Sequence, residues 1–237
     1  MRLAIMQPYF FPYIGYFQLM ANVDQFVIYD NIKFTKKGWI NRNRILVNGK
    51  DDFISLPLKK DSDYLNVNQR YIADSFETDR LKLKRKIEGA YRKAPFFREI
   101  FSLVSDIIDC EDRNLFSYIF NSIKVLNNYL NIDVPIIKSS NLDIDIERFE
   151  GQDKVLKICQ SLKASTYINP IGGKQLYERE AFKEISTELL FIKSLDFEYQ
   201  QFGNEFIPWL SIIDVLMFNE KDKVQDALNN GFIYETN

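Results

Sequence analysis

Polar side chains that could do chemistry gather at four points, each following a short apolar run. After Leu3–Met6 comes Gln7-Pro8-Tyr9-Phe10-Phe11-Pro12-Tyr13-Ile14-Gly15-Tyr16-Phe17, with two prolines and six aromatics in eleven residues. Gln7, Tyr9, Tyr13 and Tyr16 would line a pocket with their polar tips around a sugar or base. Gly15 would let a ligand or strand approach the backbone. The competing reading is a hydrophobic plug beneath a sheet end. After Gln25–Tyr29 comes Asp30 to Arg44, where Lys33, Lys36, Lys37, Arg42 and Arg44 form the densest basic cluster, with Trp39 inside it. Arg42 can grip a phosphate through two N–H groups, Lys37 adds a point charge, and Trp39 offers a stacking face. A solvated loop is the alternative. Asn169-Pro170-Ile171-Gly172-Gly173-Lys174 lacks the spacing of a Walker A loop. It is either a backbone cradle for an anion, with Lys174 adding charge, or a tight turn. Ser139-Ser140-Asn141 either caps a helix or donates to a ligand. Asp214, inside an apolar run, sits at a helix N-terminus or faces a site.

The elements that must position these residues follow from apolar periodicity. Leu3–Met6 and Gln25–Tyr29 read as buried strands, joined through a helix over Tyr13–Val23. That arrangement predicts two adjacent parallel strands with a right-handed crossover. Arg44–Val47 and Asp52–Pro57 suit a hairpin turned by Asn48-Gly49. Helical spacing then dominates from Phe76 to Leu130, with one helix through Leu81–Tyr91, one over Phe97–Ile108 and one over Leu115–Leu130. Alternation resumes with strands at Val134–Lys138, Ser165–Asn169 and Leu189–Leu195. Helices are expected at Asp153–Leu162, Ser211–Phe218 and Asp222–Asn230. The expected fold is α/β, an open, mostly parallel Rossmann-like sheet in a single domain over residues 1–237, with a helical insertion at about 76–131. Such sheets bind ligands beyond the carboxyl ends of their strands, which is where the four polar segments fall.

Composition narrows the chemistry further. The 237 residues contain no histidine, which excludes Ser-His-Asp, Cys-His and His-metal sites within the chain. Proton transfer must then use carboxylates, Lys, Tyr, Cys, the substrate or a second protein. No metal site is expected, and any Mg²⁺ would arrive with a phosphorylated substrate. Cys110 and Cys159 form no CxxC motif and read as buried thiols of a reducing compartment. Thirty-one basic against thirty-three acidic residues leave a net charge of -2 and no strong nucleic-acid footprint. Neither a signal peptide nor an apolar stretch long enough to span a membrane is evident, so a cytoplasmic location is expected.

Met6–Phe17, the Asp30 strand end and Gly38-Trp39-Ile40-Asn41-Arg42-Asn43 resemble the WbqC-like protein family. Tyr167, Gly172-Gly173, Tyr199-Gln200-Gln201 and Leu210–Asp214 are similar to that family's C-terminal pattern. Family members are associated with gene clusters for O-antigen and other surface polysaccharides, and the resemblance implies transfer of an amino acid, glycine above all, onto an amino sugar. Tyr13-Ile14-Gly15-Tyr16 is also similar to the HxGH signature of the nucleotidyltransferase and pantothenate-synthetase superfamily, with tyrosines in both histidine positions. The expectation is a transferase that uses an activated acyl donor to acylate the amine of a nucleotide-linked deoxyamino sugar. Arg42, Lys37 and Lys174 would hold the diphosphate, while Tyr9, Tyr13 and Trp39 frame sugar and base. Asp30 would be the base, with Gln7 and Asn43 polarising the acyl carbonyl. The alternative is a non-catalytic protein that binds a nucleotide sugar or a partner of the same pathway. Nothing in the sequence sets the oligomeric state.

Overall fold

The computed structural model describes residues 1–203 and 205–236. In chain order the elements are β1 (Arg2–Met6), α1 (Ile14–Ala21), β2 (Gln25–Ile28), β3 (Arg42–Val47), β4 (Lys50–Ser55), α2 (Phe76–Tyr91), α3 (Phe97–Ile108) and α4 (Leu115–Tyr129). There follow β5 (Ile136–Lys138), α5 (Gly151–Ser161), β6 (Thr166–Pro170), α6 (Arg179–Glu184), β7 (Glu188–Ser194), α7 (Ile212–Phe218), α8 (Lys221–Asn230) and β8 (Phe232–Glu235).

Six strands form one sheet in the order β5-β2-β1-β6-β7-β8. β1 pairs in parallel with β2, Leu3 opposite Gln25 through Met6 opposite Ile28, and also with β6. β5 and β7 extend the parallel sheet outward, and only β8 runs antiparallel. This is the open, Rossmann-like α/β arrangement. β1 lies at its centre with both faces covered, which is why Leu3-Ala4-Ile5 is continuously apolar rather than alternating. Ala4, Phe26, Ile28 and Ile168 point into the larger core, built with α1–α4, α7, α8 and the β3–β4 hairpin. Leu3, Ile5, Val27 and Tyr167 point the other way, onto Val155, Ile158 and Cys159 of α5 and Phe182 of α6.

The three helices between the hairpin and β5 bury one face each in the larger core, as their spacing predicts. α4 starts at Asn114, whose Oδ1 accepts from the Ser117 N–H. Boundaries shift where backbone rather than pattern decides. α1 begins at Ile14 because Tyr13 is its extended N-cap, and β5 pairs only from Ile136. Two elements carry too little pattern to be foreseen. α6 has six residues and one buried side chain, Phe182, while β8 exposes Ile233 and Tyr234 at the sheet edge.

A buried amide helps fasten α8 and the turn into β8 to α1 and β7. Gln18 Nε2 donates to the carbonyls of Ala227 and Gly231, both at 2.9 Å, and Gln18 Oε1 accepts from Ser194 Oγ at 2.6 Å. Gln18→Leu keeps the volume but removes all three bonds, while the Ala227 and Gly231 carbonyls keep their backbone donors, the Gly231 and Leu195 N–H groups. The expected cost is about 1.5–4 kcal/mol, the net worth of the lost hydrogen bonds at about 0.5–1.5 kcal/mol each, read as a lower urea midpoint at unchanged m-value.

Candidate functional site

The chain leaves β1 toward β2 and β5, then returns to the opposite side of β1 as β6. Connections therefore diverge at the carboxyl ends of β1 and β6, which opens a crevice at the switch point. A cleft of ≈ 600 Å³ lies among the segments that follow these strands, with Gln7 after β1, Tyr29, Asn31 and Lys33 after β2, and Tyr177 after β6. Its other wall is the first turn of α5, contributing Gly151, Gln152 and Lys154. Gly151 opens that helix at φ 50, a left-handed conformation that glycine adopts without steric cost. A helix of eleven residues thus points its unpaired N–H groups and the positive end of its dipole at the cleft. Lys33 and Lys154 line the same cavity, and neither forms an ion pair among the described residues. Lys33 Nζ rests 5.9 Å from the Tyr64 ring centroid. The Gln7 side-chain amide has no hydrogen-bond partner among the described residues. Burial pushes the Tyr29 phenol well up and the Tyr177 phenol up, so both are neutral at physiological pH.

Asp30, Ser139 and Ser140 meet where the ends of β2 and β5 are joined; the two serines do not line the cleft but border a separate cavity that shares Asn31 and Asn66 with it. Asp30 Oδ1 accepts from Ser139 Oγ and the Ser140 N–H, both at 2.9 Å. Its Oδ2 accepts from Ser140 Oγ at 2.5 Å and from Asn68 Nδ2 at 3.3 Å. Burial pushes the Asp30 carboxyl up, but hydrogen bonds from Ser140, Ser139 and Asn68 outweigh it and hold the group below the usual carboxylate range. A carboxylate so satisfied is a weak base and a good clasp.

The basic loop has a different role from the one its composition suggests. Arg42 donates through Nε to the Gly38 carbonyl at 3.1 Å and through a terminal nitrogen to the Lys37 carbonyl at 2.7 Å, and its guanidinium lies over the Phe53 ring. Its fork braces its own loop. Lys37 is exposed, and Trp39 stacks on Phe53. Asn43 is buried and pins the aromatic turn, with Nδ2 donating to the Phe10 and Phe11 carbonyls while Oδ1 accepts from the Arg44 N–H. Tyr16 is a core residue whose hydroxyl donates to the Gln7 carbonyl at 3.0 Å, so this second tyrosine of the HxGH-like motif does not face solvent. Tyr9, Tyr13, Trp39 and Asn43 border a smaller hollow of ≈ 180 Å³ with Arg44 and Trp209. Gly15 makes room there, since a Cβ would sit 2.4 Å from the Tyr13 ring. Gly172, Gly173 and Lys174 form a 3-10 turn, and Lys174 Nζ reaches Glu235 at 3.6 Å and the Thr236 carbonyl. That turn anchors β8, and the amide of Asn169 occupies the space above Gly173.

Asp214 proves to be the centre of a buried network. Its oxygens accept from Tyr91 at 2.8 Å and from Tyr199 and Gln201 at 2.6 Å each. Tyr91 in turn accepts from the Leu46 N–H. Burial pushes the Asp214 carboxyl up, against the pull of Tyr199, Tyr91 and Gln201. The network ties β3, α2, α7 and the chain around residue 200 together.

Residues 7–226 match the profile of the WbqC-like protein family. The chain belongs to that family. It is 28% identical over 231 residues to the uncharacterized protein Rv1507c of Mycobacterium tuberculosis, covering 96% of this chain and 97% of the relative. No solved structure matches the WbqC-like chain. Among its described residues, no helix is long and apolar enough to cross a membrane, and no group of three or more His, Cys, Asp or Glu side chains is placed to hold a metal.

The clasp predicts how the WbqC-like protein responds to acid. Asp30→Asn should cost about 1–3 kcal/mol, because one amide oxygen replaces two acceptors for four donors. The folded carboxyl titrates below its unfolded value, so its contribution is complete above that value and lost as pH falls through the folded one. Urea titrations should therefore show the difference between wild type and Asp30→Asn present at neutral pH and closing below about pH 4.

Proposed function

We propose that this WbqC-like protein is a transferase that holds a nucleotide-linked deoxyamino sugar by its diphosphate in the switch-point cleft and acylates the sugar amine. The observation that carries this reading is the convergence of the α5 N-terminus, Lys33 and Lys154 on one cavity at the carboxyl end of a parallel sheet. A diphosphate needs such a place: fixed backbone donors, a favourable dipole and two cations. Tyr29 offers its ring and neutral hydroxyl to the sugar, and Tyr177 its ring. The unpaired amide of Gln7 is free to donate to the acyl carbonyl as negative charge develops there.

In the step itself, the amine nitrogen bonds to the acyl carbon and the bond to the donor's leaving group breaks. One N–H proton must leave the nitrogen. With no histidine in the chain and Asp30 engaged in its clasp, Glu150 takes that proton, being the one carboxylate among the described residues lining the cleft. The leaving group departs with its bonding electrons and carries the acyl donor's activating moiety away. Association with O-antigen and surface-polysaccharide assembly, which the family resemblance implies, supplies the setting for such a substrate.

Calorimetry with UDP-N-acetylglucosamine, which shares the diphosphate but has its amine blocked, tests the binding half. Lys33→Ala and Lys154→Ala should each weaken binding by about 10- to 150-fold, the worth of a hydrogen bond to a charged group, and more so at low salt. Arg42→Ala should leave binding within about threefold, since Arg42 does not line the cleft and two of its donors serve its own loop. Mass spectrometry for amide formation on a nucleotide-linked amino sugar, with activated acyl donors supplied, tests the chemical half. Glu150→Gln should lower that rate by about 10²–10⁴ while binding is retained. Binding without turnover for every donor tried would favour the purely binding reading.

A further inference from the structure

A second cavity of ≈ 440 Å³ lies beyond the end of β7, against the start of α1, and its chemistry is opposite to that of the cleft. Its walls are aromatic, with Tyr13, Phe197, Tyr199, Phe206 and Trp209 all facing it. Its rim carries three carboxylates, Asp196, Glu198 and Glu205, and no Lys or Arg is among its lining residues. None of the three acids forms an ion pair with a described residue.

The aromatic wall is held open by the rest of the fold. Tyr199 gives its hydroxyl to Asp214 at 2.6 Å, which fixes its ring from behind. Tyr13 meets Trp209 edge to face, with centroids 5.8 Å apart, and the missing Cβ at Gly15 leaves room for the Tyr13 ring. Trp209 is 57% exposed, and its carbonyl accepts from Arg44. The following residues are stapled down, Ser211 N–H to the Arg44 carbonyl and Ile212 N–H to the Pro12 carbonyl. An exposed indole is thus kept at the mouth of the cavity instead of collapsing into it.

We infer that this aromatic, acid-rimmed cavity binds a primary ammonium group. Ring faces present negative charge to a cation, carboxylates supply the counter-charge, and the same carboxylates repel a phosphate. One of the lining rings already has such a partner: Lys223 Nζ lies 5.4 Å from the Phe197 centroid. The inference rests on the proposed transfer reaction only for the natural source of the amine. The existence of the site follows from the cavity alone.

The two tryptophans of the chain make the test direct, because Trp39→Phe leaves Trp209 as the sole indole. Its fluorescence is followed in the full chain while glucosamine, N-acetylglucosamine or glucose is added at about pH 6, where the glucosamine amine is protonated. Saturable quenching by glucosamine, at least about tenfold tighter than by either neutral sugar, supports the site. The same titration on Glu198→Gln/Glu205→Gln in the Trp39→Phe background should lose most of that preference, with the folded state checked by circular dichroism. An equal response to all three sugars, no response to any, or a preference that survives removal of the two acids overturns it. UDP-N-acetylglucosamine binding to the same double variant should be unchanged, so failure here and failure of the diphosphate cleft are read separately.

Discussion

The carboxylate of Asp30 is the constraint on which the cleft depends. It stands at the end of a parallel strand and binds two stretches of chain that are remote from it in sequence. Ser139 and Ser140 come from the end of β5, Asn68 from the strap before α2, and Asp30's own carbonyl accepts from the Asn68 N–H. Asn31 joins the same group through Ser139 Oγ. Residues 31–33 and Asn66 then have fixed places from which to form a wall. A buried carboxylate without such donors would protonate or draw in a counter-ion. Here the donors are hydroxyls and amides, and Lys33 and Lys154, which form no ion pair among the described residues, line the cavity.

Two regions of opposite electrostatic character follow from this economy. Around the switch point, a helix N-terminus and two lysines converge, while near the end of β7 aromatic rings and three acids do so. Tyr13 and Trp209 belong both to the acidic cavity and to the small hollow beside Tyr9 and Asn43, which makes a continuous aromatic border there. A chain without histidine can still separate charge in this way, since carboxylates, lysines and backbone dipoles are enough.

Much of the architecture was legible in the sequence because burial on both faces leaves uninterrupted apolar runs. β1 and β2 announce themselves by that means, helices α2 to α4 by 3–4 spacing, and the hairpin by its Asn48-Gly49 turn. α6 and β8 do not, since Phe182 alone anchors the first and the second is an exposed edge. For the site, the rule about strand ends located Gln7, Asp30, Ser139 and Ser140 in one neighbourhood. It could not say which cation is free. Arg42 looks like a phosphate ligand by type, yet it ties two of its donors to the carbonyls of Gly38 and Lys37 and does not line the cleft, and only the folded chain reveals this. Lys33 and Lys154 lie far apart in sequence, and Glu150-Gly151 lacks the Ser, Thr, Asp or Asn that usually marks a helix start. Asp214 was ambiguous for a similar reason, because its partners Tyr91 and Tyr199 come from distant segments.

The central claim is that the switch-point cleft holds a diphosphate, and a crystal structure of the protein soaked with UDP-N-acetylglucosamine tests it most directly. The account predicts electron density for the diphosphate against the backbone N–H groups of Gly151 and Gln152, between Lys33 and Lys154. Density against Arg42 and Lys37, or a ligand seated elsewhere with the cleft unoccupied, would contradict it.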